Sequence, residues 1–384
     1  MKRICLTAVL LIMAAAAFGM DFNVDARTDI SYVSYIKNGS YVYMFSYPSP
    51  EVISAYEKLR LKAKEQIDQV KFDFDGWLKA YPGITSVDFT IDSAYFSFEN
   101  GPFVFYAGKQ RIKWGTGYFW NPVDSLQPAT MDIYRPTEDL EGIYAIRAEM
   151  SNDIITPSLI ITPKTGAVSQ DIYRDLDAAV QLYKLLGTCD VFVNYIYDSS
   201  SQSAGLAISW DMGIFVLNAQ AALKEFREVS PGVKALKGID VTTEGLVKLA
   251  GKSFKAGFCA GLSKTITDSL LVVAEYYRNN SGFTNSDFGA YINADHYPVG
   301  FNKKDYFAYV VSYTWMEKFA ISLTGLHGLD DGTSFIFPSI SYVENPSYDI
   351  QLSLLQNLSA KGLREGYSSI PIYNTVELRL NAYF

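Results

Sequence analysis

Apolar and polar side chains alternate through most of this chain, and a period of two confines such stretches to β-strands whose two faces meet different surroundings. In EKLRLKAK, Leu59, Leu61 and Ala63 alternate with Lys58, Arg60, Lys62 and Lys64. In VKFDFDGWL, Val70, Phe72, Phe74, Gly76 and Leu78 alternate with Lys71, Asp73, Asp75 and Trp77. Paired side by side, the two segments set four cations beside two carboxylates. Ser49-Pro50 also fits a helix N-cap followed by proline, which would make 51–66 a helix. Strict alternation over seven residues favours the strand. The last residues read IYNTVELRLNAYF, with Val376, Leu378, Leu380, Ala382 and Phe384 on one face and Thr375, Glu377, Arg379, Asn381 and Tyr383 on the other. A soluble sandwich strand can show this pattern, but a transmembrane barrel strand must, because one face meets lipid and the other the lumen.

Eighteen such segments run from 22–36 to 372–384. Beginning with 37–53, every second connection is longer and polar, whereas those between, such as Asn100-Gly101, Ser151-Asn152 and Thr265-Ile266, are tight turns. Short turns on one rim and long loops on the other are the asymmetry of outer-membrane barrels. The fold expected is all-β: a single closed antiparallel transmembrane β-barrel of about 18 strands (16–18), with short periplasmic turns and long extracellular loops. Pro338, inside SFIFPSISY, calls for a bulge or a strand end, because proline removes a ladder hydrogen bond. In the long connection 224–251, AALKEFREV and TTEGLVKLAG fit either helical turns or strand extensions.

Lys2 and Arg3 precede an apolar run from Leu6 to Phe18, with small residues at Ala17 and Gly19. This has the form of a secretory signal peptide over 1–19, leaving 20–384 as the barrel. The run is shorter than the ~20 residues of a membrane-spanning helix. Cys189 and Cys259 could pair in an oxidising compartment, but two cysteines are no disulfide framework. Without a CxxC, and with only His296 and His327, no metal site and no cofactor are expected. Aromatics at 15% against charged residues at 19% suit strands and membrane-interface belts. A net charge of −8 without a basic tail argues against nucleic acid as a partner.

The terminal strand, ending on Phe384, resembles the signal that outer-membrane barrels present to their assembly machinery, which implies lipid and that machinery as partners. Further in, the segment GKQRIKWGTGYFWNPVD follows a strand and joins cations to a Gly- and Trp-rich run. It resembles a family of porin-like outer-membrane proteins in which Gly-Arg-Gln, Trp-Gly and Asn-Pro-x-Asp follow one another. Gly108, Gln110, Trp114, Gly115, Asn121, Pro122 and Asp124 match, and Lys109 stands where that family has arginine. Alternation places Lys109 and Arg111 on one strand face with Phe105 and Ala107, and a charge facing lipid costs ~2–4 kcal/mol, so that face is expected to line the lumen. In the following strand, Arg147 and Glu149 share a face. A loop carrying Trp114, Tyr118, Phe119 and Trp120 suits water poorly, so 112–140 is expected to fold inward, an outer loop packed on its neighbours being the alternative.

Three functions follow in order. The first is an outer-membrane porin-like channel for small polar solutes, anions among them, its constriction built from Lys58, Arg60, Lys62, Asp73, Asp75, Lys109, Arg111, Trp114, Trp120, Asp124, Arg147 and Glu149. The second is a surface-exposed adhesin or binding barrel whose long loops 224–251 and 280–303 engage a partner; polysaccharide export is a variant of the first. The third, a hydrolase using His327 with Asp330 or Asp331, is set aside because no GxSxG or HExxH accompanies them, and no enzyme is expected.

Overall fold

The fold is seen in a computed structural model, which describes residues 21–35, 51–80, 87–124, 126, 142–152, 154–163, 176–198, 201–226, 246–249, 252–279, 305–329, 334–345, 348–358 and 373–383. Its strands are β1 (Asp21–Tyr35), β2 (Glu51–Ile67), β3 (Val70–Ala80), β4 (Val87–Asn100), β5 (Phe103–Gln110), β6 (Ile143–Met150), β7 (Thr156–Pro163), β8 (Leu176–Leu186), β9 (Cys189–Asp198) and β10 (Ser201–Asp211). There follow β11 (Val216–Phe226), β12 (Leu246–Leu249), β13 (Lys252–Thr267), β14 (Leu270–Asn279), β15 (Asp305–Trp315), β16 (Phe319–Gly328), β17 (Ser334–Asn345), β18 (Tyr348–Asn357) and β19 (Tyr373–Tyr383). No helix occurs among the described residues. Residues 51–66 thus belong to a strand, and residues 1–20, the expected signal peptide, lie outside the described part.

Every strand except β12 pairs antiparallel with both chain neighbours, β11 pairing directly with β13, and β19 returns to pair with β1. The result is one closed ladder of 18 strands. β12 pairs only with the start of β13, through Leu246 opposite Lys255 and Leu249 opposite Lys252, so this part of the long connection is a strand extension. Tight turns at Asp68-Gln69, Gly101-Pro102, Gly187-Thr188 and Asp268-Ser269 gather on one rim, with Asp68, Gly101 and Gly187 at positive φ. The turn expected at Thr265-Ile266 lies three residues later, because β13 stays paired with β14 as far as Thr267, with a register shift between Thr265 and Thr267.

Outward and inward faces separate by chemistry. Phe96, Phe98, Leu159, Leu182, Val193, Leu206, Leu262, Leu323 and Leu352 are exposed, whereas Ser97, Ser158, Asn194, Gln220 and Glu275 are buried within the ring. On β19, Val376, Leu378 and Leu380 are exposed while Glu377 between them is buried; Phe384 lies outside the described residues. Aromatics cluster toward the tight-turn rim, where Trp315 packs on Phe319 at 5.4 Å and Phe319 on Tyr342 at 4.9 Å.

Pro338 needs neither bulge nor strand end. It sits inside β17, opposite Leu323 of β16; toward β18 the ladder omits Phe337 and Pro338 and resumes at Ser339 in the same register. Cys189 and Cys259 are free thiols, because β10 and β11 stand between their strands in the ring.

The face assignment makes a prediction. Replacing outward Leu182 by arginine should cost about 2–4 kcal/mol of stability, while arginine at its neighbour Gln181, which faces inward, should cost far less. Urea unfolding of the two variants in lipid vesicles measures this, and equal losses would contradict the assignment.

Candidate functional site

The register of β2, β3 and β4 builds a charged wall. Arg60 stands opposite Trp77, Lys62 opposite Asp75 and Lys64 opposite Asp73. Arg60 donates two hydrogen bonds to Asp75, Nε to Oδ1 at 2.8 Å and Nη2 to Oδ2 at 2.6 Å. Its guanidinium lies 4.9 Å from the centre of the Trp77 ring, which Lys58 also approaches at 5.2 Å. Between Asp75 and Gly76 the register with β4 shifts, so Asp75 faces Ser93, Gly76 faces Ile91, and Asp92 is the extra residue of a bulge. That bulge turns Asp92 to the same cluster, where its Oδ2 accepts from Trp77 Nε1 at 2.5 Å and from Arg111 Nη2 at 2.9 Å. Arg111 Nη2 also lies 3.0 Å from Asp75 Oδ2.

Lys109 and Arg111 do not share the face that alternation implies. Tyr106 pairs with Arg147, whose guanidinium lies 3.9 Å from the Tyr106 ring centre, so Tyr106 points inward. Phe105, opposite Ala148, points outward and is exposed. Lys109 follows Phe105, and its ammonium is held by the Ile91 carbonyl at 2.6 Å, 5.6 Å from the ring of exposed Tyr144. The Ile91 carbonyl, next to the β4 bulge, thus takes a cation that the alternation would have pointed outward. Arg111 reaches the interior for another reason: β5 ends at Gln110, and the chain there leaves the wall. Gly108, at φ +129°, packs so closely on β4 that a Cβ would strike the Ala94 carbonyl.

From Arg111 to Asp124 the chain crosses the ring. Trp114 and Ile112 bury themselves against Ala145, Ile160, Ala179 and Ile196, on β6 to β9. Val123 packs on Ala207 of β10 and Ala222 of β11. Phe119 and Trp120 belong to one buried cluster with Cys259, Val273, Tyr306, Val310, Leu326, Phe335 and Leu355, drawn from β13 to β18. Since β15 stands nine strands from β5 in either direction, a segment joining them spans the enclosed space. Its tip is fastened by one carboxylate: Glu275 accepts from the N–H groups of Tyr118 at 2.7 Å, Phe119 at 3.1 Å and Trp120 at 2.7 Å. Turned with its oxygen toward the loop, the Gln220 amide accepts from Thr116 and Gly117 N–H at 3.2 and 2.5 Å. Asn194 Nδ2 donates to Val123 O at 3.3 Å, and Thr116 Oγ1 to Ile208 O at 3.0 Å.

This changes the role of the loop residues. Trp114 and Trp120 are 4% and 5% exposed, so they anchor the loop and offer no free face to a solute. Trp120 stacks instead on Tyr277 at 5.5 Å. Asp124 accepts from Trp114 N–H at 3.0 Å and Leu126 N–H at 3.3 Å, closing the loop's base. Residues 127–141 lie outside the described part.

With the loop against β6–β11 and β13–β18, a recess of about 430 Å³ is found by the opposite wall, lined by Arg60, Lys62, Asp75, Tyr95, Arg111 and Arg147 among others. Each cation has a carboxylate, but in most pairs the carboxylate lies deeper: Lys64 is 72% exposed against 23% for Asp73, Lys62 35% against 19% for Asp25, Arg111 28% against 10% for Asp92, and Arg60 16% against 7% for Asp75. Arg147 and Glu149, at 21% and 30%, reverse the order. His327 is remote from the recess: its ring stacks on outward Tyr309 at 5.8 Å and Nδ1 meets Ser334 Oγ at 2.8 Å, while Asp330 and Asp331 lie outside the described residues.

Sequence reasoning missed Glu275, Gln220, Asn194, Trp77 and Asp92 as parts of one assembly. A signal for the loop's dock was present in LLVVAEYY of β14 and DYFAYVV of β15, where alternation fails because both faces carry apolar residues.

Hydrogen bonds to a charged group contribute ~1.5–3 kcal/mol each, so Glu275 holds the tip strongly. Replacing Glu275 by alanine, in protein carrying Cys189→Ser, should expose Cys259, now 2% accessible beneath the tip, to water-soluble thiol reagents. Glu275→Gln, which retains one acceptor oxygen, should be labelled at an intermediate rate. Unchanged protection in folded barrels would mean that the apolar contacts alone hold the loop.

No protein-family profile matches the chain, and no curated protein sequence matches it. Solved structures do resemble it. Pseudomonas aeruginosa OpdQ superposes with a TM-score of 0.57 at 10% identity, over 96% of this chain and 97% of that one. Pseudomonas aeruginosa OccK2 (OpdF), solved in complex with glucuronate, gives 0.57 at 8% identity over 95% and 96%. A variant of the Rh. blastica porin gives 0.48 at 11% identity over 95% and 100%. What the two Pseudomonas structures share with this chain is the fold.

Proposed function

We propose that the protein is a channel of a bacterial outer membrane that passes small polar solutes and favours anions, with the inward loop beginning at Ile112 as its constriction. A barrel of 16–18 strands is wide enough to leave an aqueous lumen. One observation carries the anion preference: along the recess, cations stand toward the lumen and most of their carboxylates stand behind them. A passing anion meets ammonium and guanidinium groups first, and local charge at the narrow point sets selectivity. The glucuronate bound to OccK2, a barrel of like fold, is a small sugar carboxylate and agrees with this reading.

The same reading assigns the terminal face Val376, Leu378, Leu380, Ala382 and Phe384 to recognition by the barrel-assembly machinery. It also assigns residues 1–19 to export through a cleaved signal peptide. Solute passage is a matter of size and charge in this account, with no chemical step.

Single-channel recording in a planar bilayer under asymmetric potassium chloride tests the proposal. Stepwise ohmic openings with a reversal potential displaced toward that of chloride are expected. Replacing Arg60 and Arg111 together by glutamine should lower the chloride-to-potassium permeability ratio by about threefold, the effect of about half a kT of local potential acting oppositely on the two ions. Silence from barrels that remain folded in gel migration, or cation selectivity in the unmodified protein, would sink the proposal.

A further inference from the structure

We infer that Asp92, the extra residue of the β4 bulge, sets the charge that a solute meets at the mouth of the loop, and so determines how strongly the channel discriminates by sign. This deepens the channel reading and rests on it.

Arg60, Asp75, Arg111, Asp92 and Trp77 are linked into one cluster. Arg60 occupies both oxygens of Asp75, and Arg111 shares Asp75 Oδ2 at 3.0 Å. Two guanidinium groups meet the one Asp75 carboxylate, and Asp92 adds a second negative charge against Arg111. Of the two, Asp92 is the more covered, at 10% exposure against 28% for Arg111. A regular β4 would have no extra residue at this point; only the shifted register, with Asp75 opposite Ser93 and Gly76 opposite Ile91, leaves Asp92 free to turn to Arg111. Trp77 positions it: Nε1 donates to the same Oδ2 that meets Arg111, while the face of the ring carries Arg60. The bulge therefore inserts a fixed negative charge beside a cation that enters the lumen from the loop and not from the wall.

Asn at this position keeps an acceptor oxygen for Trp77 and Arg111 and removes the charge. Asp92→Asn should raise the chloride-to-potassium permeability ratio about threefold. Asp92→Glu, which restores the charge, should return the ratio to that of the unmodified protein. Arg111→Gln should lower the ratio, and adding Asp92→Asn to it should bring the ratio back, because the pair is then removed as a unit. That double variant also serves if Asp92→Asn alone does not fold.

An anion-selective barrel whose ratio is unmoved by Asp92→Asn, or by adding it to Arg111→Gln, overturns this inference and leaves the channel reading standing. A folded barrel that is silent or cation-selective overturns both. A change in conductance without a change in ratio would assign Asp92 to shaping the pore and remove it as a determinant of sign.

Discussion

In hydrocarbon no water can satisfy a free backbone N–H or C=O, and each one left unpaired costs several kcal/mol. For a sheet whose outer face carries Phe96, Leu182, Leu323 and Leu352, the pairing of β1 with β19 is therefore the contact on which everything else depends. It joins Asp25 with Tyr383 and runs to Tyr35 with Tyr373, and removes the last free edge. Once the ring is closed, one face of each strand is committed to the inside, and the interior becomes a space that the chain must either fill or leave to water.

The chain fills part of it with its own loop. Arg111–Asp124 has no strand partners, so its backbone groups need substitutes from the wall. Glu275 supplies acceptors for three successive N–H groups, while Asn194 and Gln220 serve its flanks. Trp114 and Trp120 bury apolar area against inward-facing aliphatic and aromatic side chains. The loop is consequently an internal wall, held by polar contacts at its tip and apolar contacts along its length. The charged groups of β2–β5 face what space remains, with many cations forward of their carboxylates.

Much of the fold was legible from the residues alone. Alternation in β2, β3 and β19 reports which side chains face lipid, because a period of two follows from strand geometry and a charge in lipid is costly. It placed Arg60, Lys62, Asp73 and Asp75 on one face of neighbouring strands, and their cross-strand contacts agree. It misplaced Lys109, because the lumen-facing parity of β5 is fixed by Tyr106 packing on Arg147, a relation that no single strand displays. The bulge at Asp92 was equally hidden, since a one-residue offset becomes visible only when two strands are laid together.

The composition of the loop showed that its aromatics would seek cover, yet it could not show which wall would cover them. That depended on contacts between Tyr118–Trp120 and Glu275, more than 150 residues apart in sequence. Sequence alone determined the strands, their two faces and the alternation of short and long connections, because these follow from local geometry and the cost of placing charge in lipid. Tertiary structure alone decided the register, the Asp92 bulge and the docking of the loop, because each needs backbone or side-chain groups from distant segments to meet in one closed space.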